Sequence, residues 1–142
     1  MQSIVSVWAV IVAAAVAIVL GFLWYGPLFG KKWMALMGIS KPEAMTPEVK
    51  KQMMKSYFFL TISSLVAAGV LGHFFAYGAA FTGKAGFAAA LCIGFWVWIG
   101  FAGPITLGSV LWERKPWKLW ILNNAYYLIS FILQSIVFSM WK

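Results

Sequence analysis

Four long stretches of uncharged, mostly apolar residues dominate the chain. They cover residues 4–29, 57–81, 85–112 and 117–141, the last with Lys118 near its start. A helix that crosses the ~30 Å hydrocarbon layer needs about 20 residues, and each stretch is longer than that. The pattern predicts an all-α fold: residues 1–142 form one domain, an integral membrane four-helix bundle. Gly26-Pro27 and Gly103-Pro104 are predicted to break the first and third helices.

The only sizeable polar segment, residues 31–56, lies between the first two stretches. Thr46 is a good N-cap, Pro47 suits the first helical position and Glu48 suits the positive helix end. The second helix is therefore expected to begin here as a cytoplasmic stalk below the membrane. The segment from Lys31 to Met37 mixes lysines with Trp and Met, which fits either an interfacial helix or a solvated linker.

Composition excludes a soluble protein. The chain is 63% hydrophobic and 10% charged, whereas soluble domains are about 45–50% apolar and about 25% charged. The net charge of +8 could suggest nucleic acid as a partner. Most basic residues adjoin the apolar stretches, however, so membrane orientation explains them better, and we expect the lipid bilayer and no nucleic acid as partner.

The basic residues also predict the orientation, because Lys and Arg accumulate in cytoplasmic loops. The first and third loops hold Lys31, Lys32, Lys41, Lys50, Lys51, Lys55, Arg114, Lys115 and Lys118, against Lys84 and Lys142 on the other side. This bias places both termini on the external side. Since no organelle signal is apparent, the expected location is a bacterial inner membrane, crossed four times.

Small residues recur at every fourth position on the first two helices. The pattern comprises Ala9, Ala13, Ala17 and Gly21 on the first, and Ser64, Ala68, Gly72, Ala76 and Ala80 on the second. Small side chains let helices approach closely in lipid, where dispersion stabilises the contact. The stripe favours packing inside one subunit, and an oligomer interface is the alternative. It also predicts that Gly72→Leu is more damaging than Leu71→Ala.

Several polar side chains are predicted at one depth in the cytoplasmic half of the bundle. They are Thr61, Ser63 and Ser64 on the second helix, Thr106 on the third, and Asn123 and Asn124 on the fourth. Buried amides need partners in lipid, so this layer is either a structural hydrogen-bond network or a substrate or ion site. The two asparagines point about 100° apart and must face different neighbours. One is expected to bond Ser63, Ser64 or Thr106.

His73 and Gln134 are predicted at a similar depth in the outer half, where they could meet. An ionisable group inside a membrane is a functional candidate. His73 is the single histidine and has no nearby carboxylate, so a structural hydrogen bond to Gln134, Tyr77 or a carbonyl is the favoured interpretation.

Aromatic residues mark the expected cytoplasmic boundary of the first helix. Trp24, Tyr25 and Trp33 are predicted to anchor its depth at the interface. Gly21-Phe22 with Gly26-Pro27 is also similar to Gly100-Phe101 with Gly103-Pro104, which suggests an internal repeat of two helix pairs.

Residues for catalysis or metal binding are scarce. The chain has no Asp, its three Glu residues lie outside the apolar stretches, and Cys92 is its single cysteine. It carries no nucleophile elbow, phosphate loop or zinc motif. We expect no catalytic residues, no metal and no cofactor, and the prediction is a protein that is not an enzyme.

The segment GFLWYGPLFGKKW at residues 21–33, together with Glu113, Pro116 and the run LNNAYYLIS at 122–130, resembles the membrane-protein family known as domain of unknown function 1761. The resemblance covers nearly the whole chain. It implies a compact four-helix membrane protein and leaves the biochemical role open.

Two functions remain at this stage. The first is a non-enzymatic protein that acts through helix packing, as a homo-oligomer or as a small subunit of a membrane assembly. The alternative is a small transporter or channel with a polar path lined by His73, Gln134, Asn123 and Asn124. A hydrated cavity that reaches the polar layer would favour the transporter, and a dry layer would favour packing.

Overall fold

The computed structural model describes residues 5–41 and 43–141, and within them all regular structure is helical. The α-helices are α1 (Val7–Leu23), α2 (Gly30–Leu36), α3 (Pro47–Thr82), α4 (Gly86–Val97), α5 (Gly103–Leu111) and α6 (Trp117–Met140). Two π-helical turns interrupt the series, π1 (Trp24–Leu28) after α1 and π2 (Trp98–Ala102) between α4 and α5.

Within the described residues, four helices are long and apolar enough to cross a membrane, as predicted. They are Val7–Leu28, Pro47–Thr82, Gly86–Leu111 and Trp117–Met140. In the most apolar 18-residue stretch of each helix, only 22% to 33% of the residues are buried inside the protein. Most of these residues therefore face outward, as contact with lipid requires. Ile4, the predicted start of the first span, and Lys142 lie outside the described residues.

Helix α3 begins with the N-cap that the sequence predicts. The Thr46 hydroxyl accepts a hydrogen bond from the backbone N–H of Val49 at 3.3 Å, Pro47 opens the helix and Glu48 lies in its first turn. One of the free N–H groups of the first turn is thereby satisfied. The segment before it contains α2, so the Lys31–Met37 region is helical.

Both predicted breaks are confirmed as π turns. Proline lacks an N–H and collides with the carbonyl four residues earlier, so an α-helix must widen or bend there. In π1, Pro27 follows Gly26, whose φ of −104° and ψ of −105° are not helical. Pro104 follows directly after π2, near the start of α5. The chain can close up after π1 because Gly30 has no side chain: a Cβ there would lie 2.7 Å from the Tyr25 carbonyl oxygen.

Helix α6 packs against α1, α3 and α4, and α3 also packs against α1 and α4. Small residues make these approaches possible. A Cβ on Gly72 would lie 2.8 Å from Val5 and 2.9 Å from Phe138, and one on Gly94 would lie 2.9 Å from the Cα of Ile132. The backbones of α4 and α6 are therefore in direct contact at Gly94.

The small-residue stripe lies mostly inside the subunit. Ala9, Ala13 and Ala17 on α1 and Ala68 and Gly72 on α3 are buried, whereas Gly21, Ser64 and Ala76 are half-buried. This placement accounts for the stripe through packing within one chain.

Leu71 also belongs to this core and is only 3% exposed. Leu71→Ala is therefore not a mild change, and whether Gly72→Leu is the more damaging of the two stays a prediction. Removing a buried Leu side chain costs about 2–5 kcal/mol, so both Leu71→Ala and Gly72→Leu are now expected to destabilise the protein.

Candidate intramembrane binding site

One face of α6 carries a row of polar side chains. Asn123, Tyr127, Ser130 and Gln134 follow each other at intervals of four, three and four residues, the spacing of a single helix face. At 1.5 Å per residue the row is about 16 Å long. We call it the polar stripe.

The polar stripe forms one wall of a cavity of about 690 Å³ between α1, α3 and α6. We call this the polar cavity. Its lining consists of Ala17, Ile18, Gly21, Phe22, Tyr25, Trp33, Leu60, Ser63, Ser64, Ala67, Asn123, Tyr126, Tyr127, Ser130, Phe131 and Gln134. Phe22, Leu60, Ser63 and Ala67 are exposed and mark its open side.

Several polar atoms of the stripe are available to a ligand. Gln134 donates from Nε2 to the Ser130 hydroxyl at 3.1 Å, and both residues are less than 5% exposed. Within the described part of the chain, no hydrogen bond occupies Gln134 Oε1, Asn123 Nδ2 or the Tyr127 hydroxyl. None of these atoms is fully enclosed, because Ser135 Oγ is the one fully buried side-chain polar atom without a partner there. The cavity thus offers both donors and acceptors.

An aromatic cluster closes the cavity at the π1 end. The Tyr25 hydroxyl donates to Asn123 Oδ1 at 2.9 Å, and the Trp24 indole donates to the Leu122 carbonyl at 3.2 Å. The Tyr126 hydroxyl bonds the Ala17 carbonyl on α1 at 3.1 Å. These three bonds tie π1 and the end of α1 to α6.

The predicted role of Trp24, Tyr25 and Trp33 as interface anchors is corrected in part. Trp24 is buried, and Tyr25 and Trp33 are half-buried with their rings 5.9 Å apart at the edge of the cavity. Helix periodicity is the physical reason, because Trp24 comes seven residues after the buried Ala17 and so lies on the same face of the helix. That face packs against α6, so Trp24 is buried against protein.

The Asn124 side chain faces away from the polar cavity, and both the nitrogen and the oxygen of its amide are hydrogen-bonded. Its Nδ2 donates to the Thr106 hydroxyl at 3.0 Å and to the Trp120 carbonyl at 3.1 Å, while Oδ1 accepts from the Trp98 indole at 3.2 Å. The Thr106 hydroxyl in turn donates to the Ala102 carbonyl at 2.6 Å. This network holds π2 and α5 against α6 and is structural.

The prediction that the two asparagines face different neighbours, one of them Thr106, is confirmed. The predicted single layer divides accordingly, with Asn124 and Thr106 in the network and Asn123 and Ser64 at the polar cavity. Ser63 also lines the cavity, although its hydroxyl bonds the Leu60 carbonyl of its own helix.

The prediction that His73 meets Gln134 is wrong. His73 is exposed on α3, and its Nδ1 lies 2.8 Å from the Gly69 carbonyl one turn earlier. Gln134 is buried at the polar cavity. Matching depths along two helices said nothing about their rotation, and His73 points outward. Its bond to a backbone carbonyl is one of the structural bonds that the sequence suggested.

Tyr127 and Ser130 were missed by sequence reasoning, although their signal was present. Their spacing from Asn123 and Gln134 places all four on one face of α6.

A smaller cavity of about 300 Å³ lies between α5 and α6. We call it the side cavity. It shares Asn123 and Tyr127 with the polar cavity, and its lining includes Glu113.

The described residues form an all-helical fold with four helices apolar enough to span a membrane, and a polar cavity lies between three of its helices. The chain belongs to the family described as protein of unknown function (DUF1761), whose profile matches residues 8–139. No curated protein and no solved structure matches the chain.

Proposed function

We propose that this protein binds a small, uncharged amphipathic molecule within the membrane, in the polar cavity, as the binding step of a small transporter. The observation that carries the proposal is the cavity itself, which reaches Asn123 in the predicted polar layer. A transporter needs a hydrated cavity that reaches this layer, and a cavity at this place with polar groups along one wall supports the proposal.

The size and lining of the cavity support a ligand-binding role. Its volume of about 690 Å³ lies within the roughly 300–1,000 Å³ that is usual for small-molecule sites. Such sites are mostly apolar with a few placed polar groups. Here the apolar wall comes from residues such as Ile18, Leu60 and Phe131, and the polar groups form a single row.

The absence of charge selects the ligand class. Among the lining residues, which all belong to the described part of the chain, none is Asp, Glu, Lys, Arg or His. A charged headgroup would lose its hydration without gaining an ionic partner, which is strongly unfavourable. For a cation, contact with lining aromatic rings such as Tyr25 and Trp33 offsets only part of that loss. Hydroxyl or amide headgroups can instead bond Asn123 Nδ2, the Tyr127 hydroxyl and Gln134 Oε1.

The membrane and the orientation are part of the same proposal. The loop charges support a bacterial inner membrane with both termini external, which puts Trp33 and the Tyr25 end of the cavity in the cytoplasmic half. Single cysteines introduced at positions 45 and 115 in a Cys92→Ala background should react with a membrane-impermeant maleimide only after the cells are opened. A cysteine at 84 should react in intact cells, and the reverse pattern would contradict the orientation.

Assembly into a homo-oligomer or a larger complex stays a prediction, and so does the absence of enzymatic activity. The stripe of Ala13, Ala68 and Gly72 is occupied by packing within the chain, so it lends the oligomer no separate support.

Binding is testable by native mass spectrometry of the whole protein in an anionic amphipathic polymer, which supplies no small uncharged amphipath that could compete for the cavity. Octyl glucoside, octanoate and octyltrimethylammonium supply one chain with uncharged, anionic and cationic headgroups. We expect retention of octyl glucoside and little retention of the two ions. Equal retention of all three would show that the cavity only accepts an alkyl chain, and no retention of any would refute the proposal.

A matched pair of variants locates the binding. Ala67→Trp places a large ring at the open side of the polar cavity, whereas Val66→Trp adds the same ring to the neighbouring position, which is 62% exposed and outside the cavity. Ala67→Trp should lower octyl glucoside retention and Val66→Trp should not. If both variants retain it equally, the molecule binds elsewhere.

A further inference from the structure

A second cavity lies on the same helix interface as the polar cavity, toward the opposite end of the bundle. It measures about 590 Å³, and its lining includes Ala9 of α1, Gly72 and Ala76 of α3, Phe138 of α6, and Trp141 just after the end of α6. We call it the end cavity. On α6, Phe138 continues the spacing of the polar stripe by four residues, so both cavities meet the same side of that helix.

The two cavities are separated by a short barrier. On α6, Gln134 lines the polar cavity and Phe138 lines the end cavity, so about one helical turn, or 6 Å, lies between them. On α3 the corresponding step runs from Ala67 to Gly72. The separation is therefore small compared with the thickness of the membrane.

The barrier combines small and larger core side chains. Ala13 lies between the lining residues of the two cavities on α1, and Ala68 and Leu71 lie between them on α3. All three are buried in the core, and Leu71 is the one large side chain among them. Partly buried hydrophobic residues between the two linings also pack against this core, namely Val10 on α1 and Ile136 and Val137 on α6. Joining the cavities therefore requires α1 to separate from α3 and Leu71 to move aside.

We infer that the polar cavity and the end cavity are the two halves of one translocation path through the α1, α3 and α6 interface, with Leu71 and its alanine neighbours as the closed gate. This inference rests on the proposed function, because the path carries the uncharged amphipath that the polar cavity binds. In the described structure the two cavities are separate, so the path is closed at this gate.

The test measures headgroup transfer between leaflets in vesicles that contain the full chain. The probe is an alkyl glucoside with a nitrobenzoxadiazole group on its chain, whose fluorescence dithionite destroys in the outer leaflet only. Vesicles with the wild-type protein should lose fluorescence beyond the outer-leaflet fraction, and protein-free vesicles should not. Wild-type protein that retains octyl glucoside but gives no extra loss would overturn the path while leaving the proposed function intact.

Two variants test the route. Ala76→Trp fills the end cavity without reaching the polar cavity, so transfer should fall to the protein-free rate while octyl glucoside retention stays unchanged. Val70→Trp, at a position that is 52% exposed and lines neither cavity, is the matched control and should leave both readouts unchanged. Unchanged transfer in Ala76→Trp would overturn the path.

Leu71→Ala tests the gate from the opposite direction, because it removes the largest barrier side chain. It should raise the transfer rate above that of the wild-type protein. Since the variant also loses core packing, Leu71→Met serves as a second variant that keeps the volume and adds rotamer freedom. A decrease or no change in transfer by folded Leu71→Met protein would contradict the gate.

Discussion

The adjacent asparagines of α6 offer a sharp test, because the same substitution should have opposite consequences at the two positions. Asn124 is 2% exposed and bonds Thr106, Trp120 and Trp98. Asn123 is half-buried and has one hydrogen bond, from the Tyr25 hydroxyl. Leucine is close to asparagine in size, so Asn→Leu removes the amide with little change in volume.

The expected magnitudes follow from the number of bonds lost. Hydrogen bonds inside membrane proteins contribute on average about 0.6 kcal/mol each, so the three bonds of Asn124 amount to about 2 kcal/mol and the one bond of Asn123 to about 0.6 kcal/mol. Asn124→Leu also leaves the Trp98 indole without its acceptor, which adds to the loss. Asn124→Leu should thus be the more destabilising change.

Reversible unfolding in mixed micelles, titrated with sodium dodecyl sulfate, gives the free energy of unfolding for each variant. Octyl glucoside retention by native mass spectrometry is measured on the same samples. Asn124→Leu should lower stability and keep retention in the folded fraction, whereas Asn123→Leu should keep most stability and lose retention. If both variants lose the same free energy of unfolding and retain the same amount of octyl glucoside, then the assignment of Asn124 to a structural role and Asn123 to ligand binding is refuted.

Further substitutions test the packing and the buried hydroxyls. Gly94→Ala should destabilise the protein by about 1–3 kcal/mol, since its Cβ would meet the α6 backbone. Gly100→Ala should be tolerated, because a Cβ there would have no other atom within 4 Å. Equal unfolding midpoints of the two variants would contradict the close approach of α4 and α6. Ser135→Ala should stabilise the protein by about 1 kcal/mol because the hydroxyl is buried without a partner. Ser130→Ala should lower the free energy of unfolding by a similar amount, because it removes the acceptor of the Gln134 amide. A thermal unfolding series in which Ser130→Ala is more stable than Ser135→Ala would contradict these two assignments.

Much of the fold could be predicted because its determinants are local. Apolar runs longer than a bilayer predict spans, Gly26-Pro27 and Gly103-Pro104 predict breaks, and Thr46 predicts the start of α3. Each of these depends on the backbone chemistry of a few neighbouring residues. The divergence of Asn123 and Asn124 was equally predictable, since the helix fixes the angle between consecutive side chains.

The site was harder to predict because it depends on how the helices are rotated about their axes. His73 and Gln134 lie at similar depths along their helices and were expected to be close, but His73 faces outward. Trp24 and Tyr25, which were expected at the membrane interface, are hydrogen-bonded to α6. A cavity between three helices is also a tertiary property: it exists where Ser64 and Ala67 of α3 stand away from the polar stripe, and no local pattern encodes that distance.

The central claim is that the polar cavity holds the headgroup of an uncharged amphipath, and site mapping by photolabelling tests it most directly. An octyl glucoside with a diazirine next to the headgroup is photolysed with the protein in vesicles, and the adducts are located by peptide mass spectrometry. The account predicts adducts on cavity residues such as Tyr25, Ala67 and Tyr127, suppressed by excess octyl glucoside. Adducts spread over outward-facing residues such as Val66 and Ile105, unaffected by competition, would contradict it.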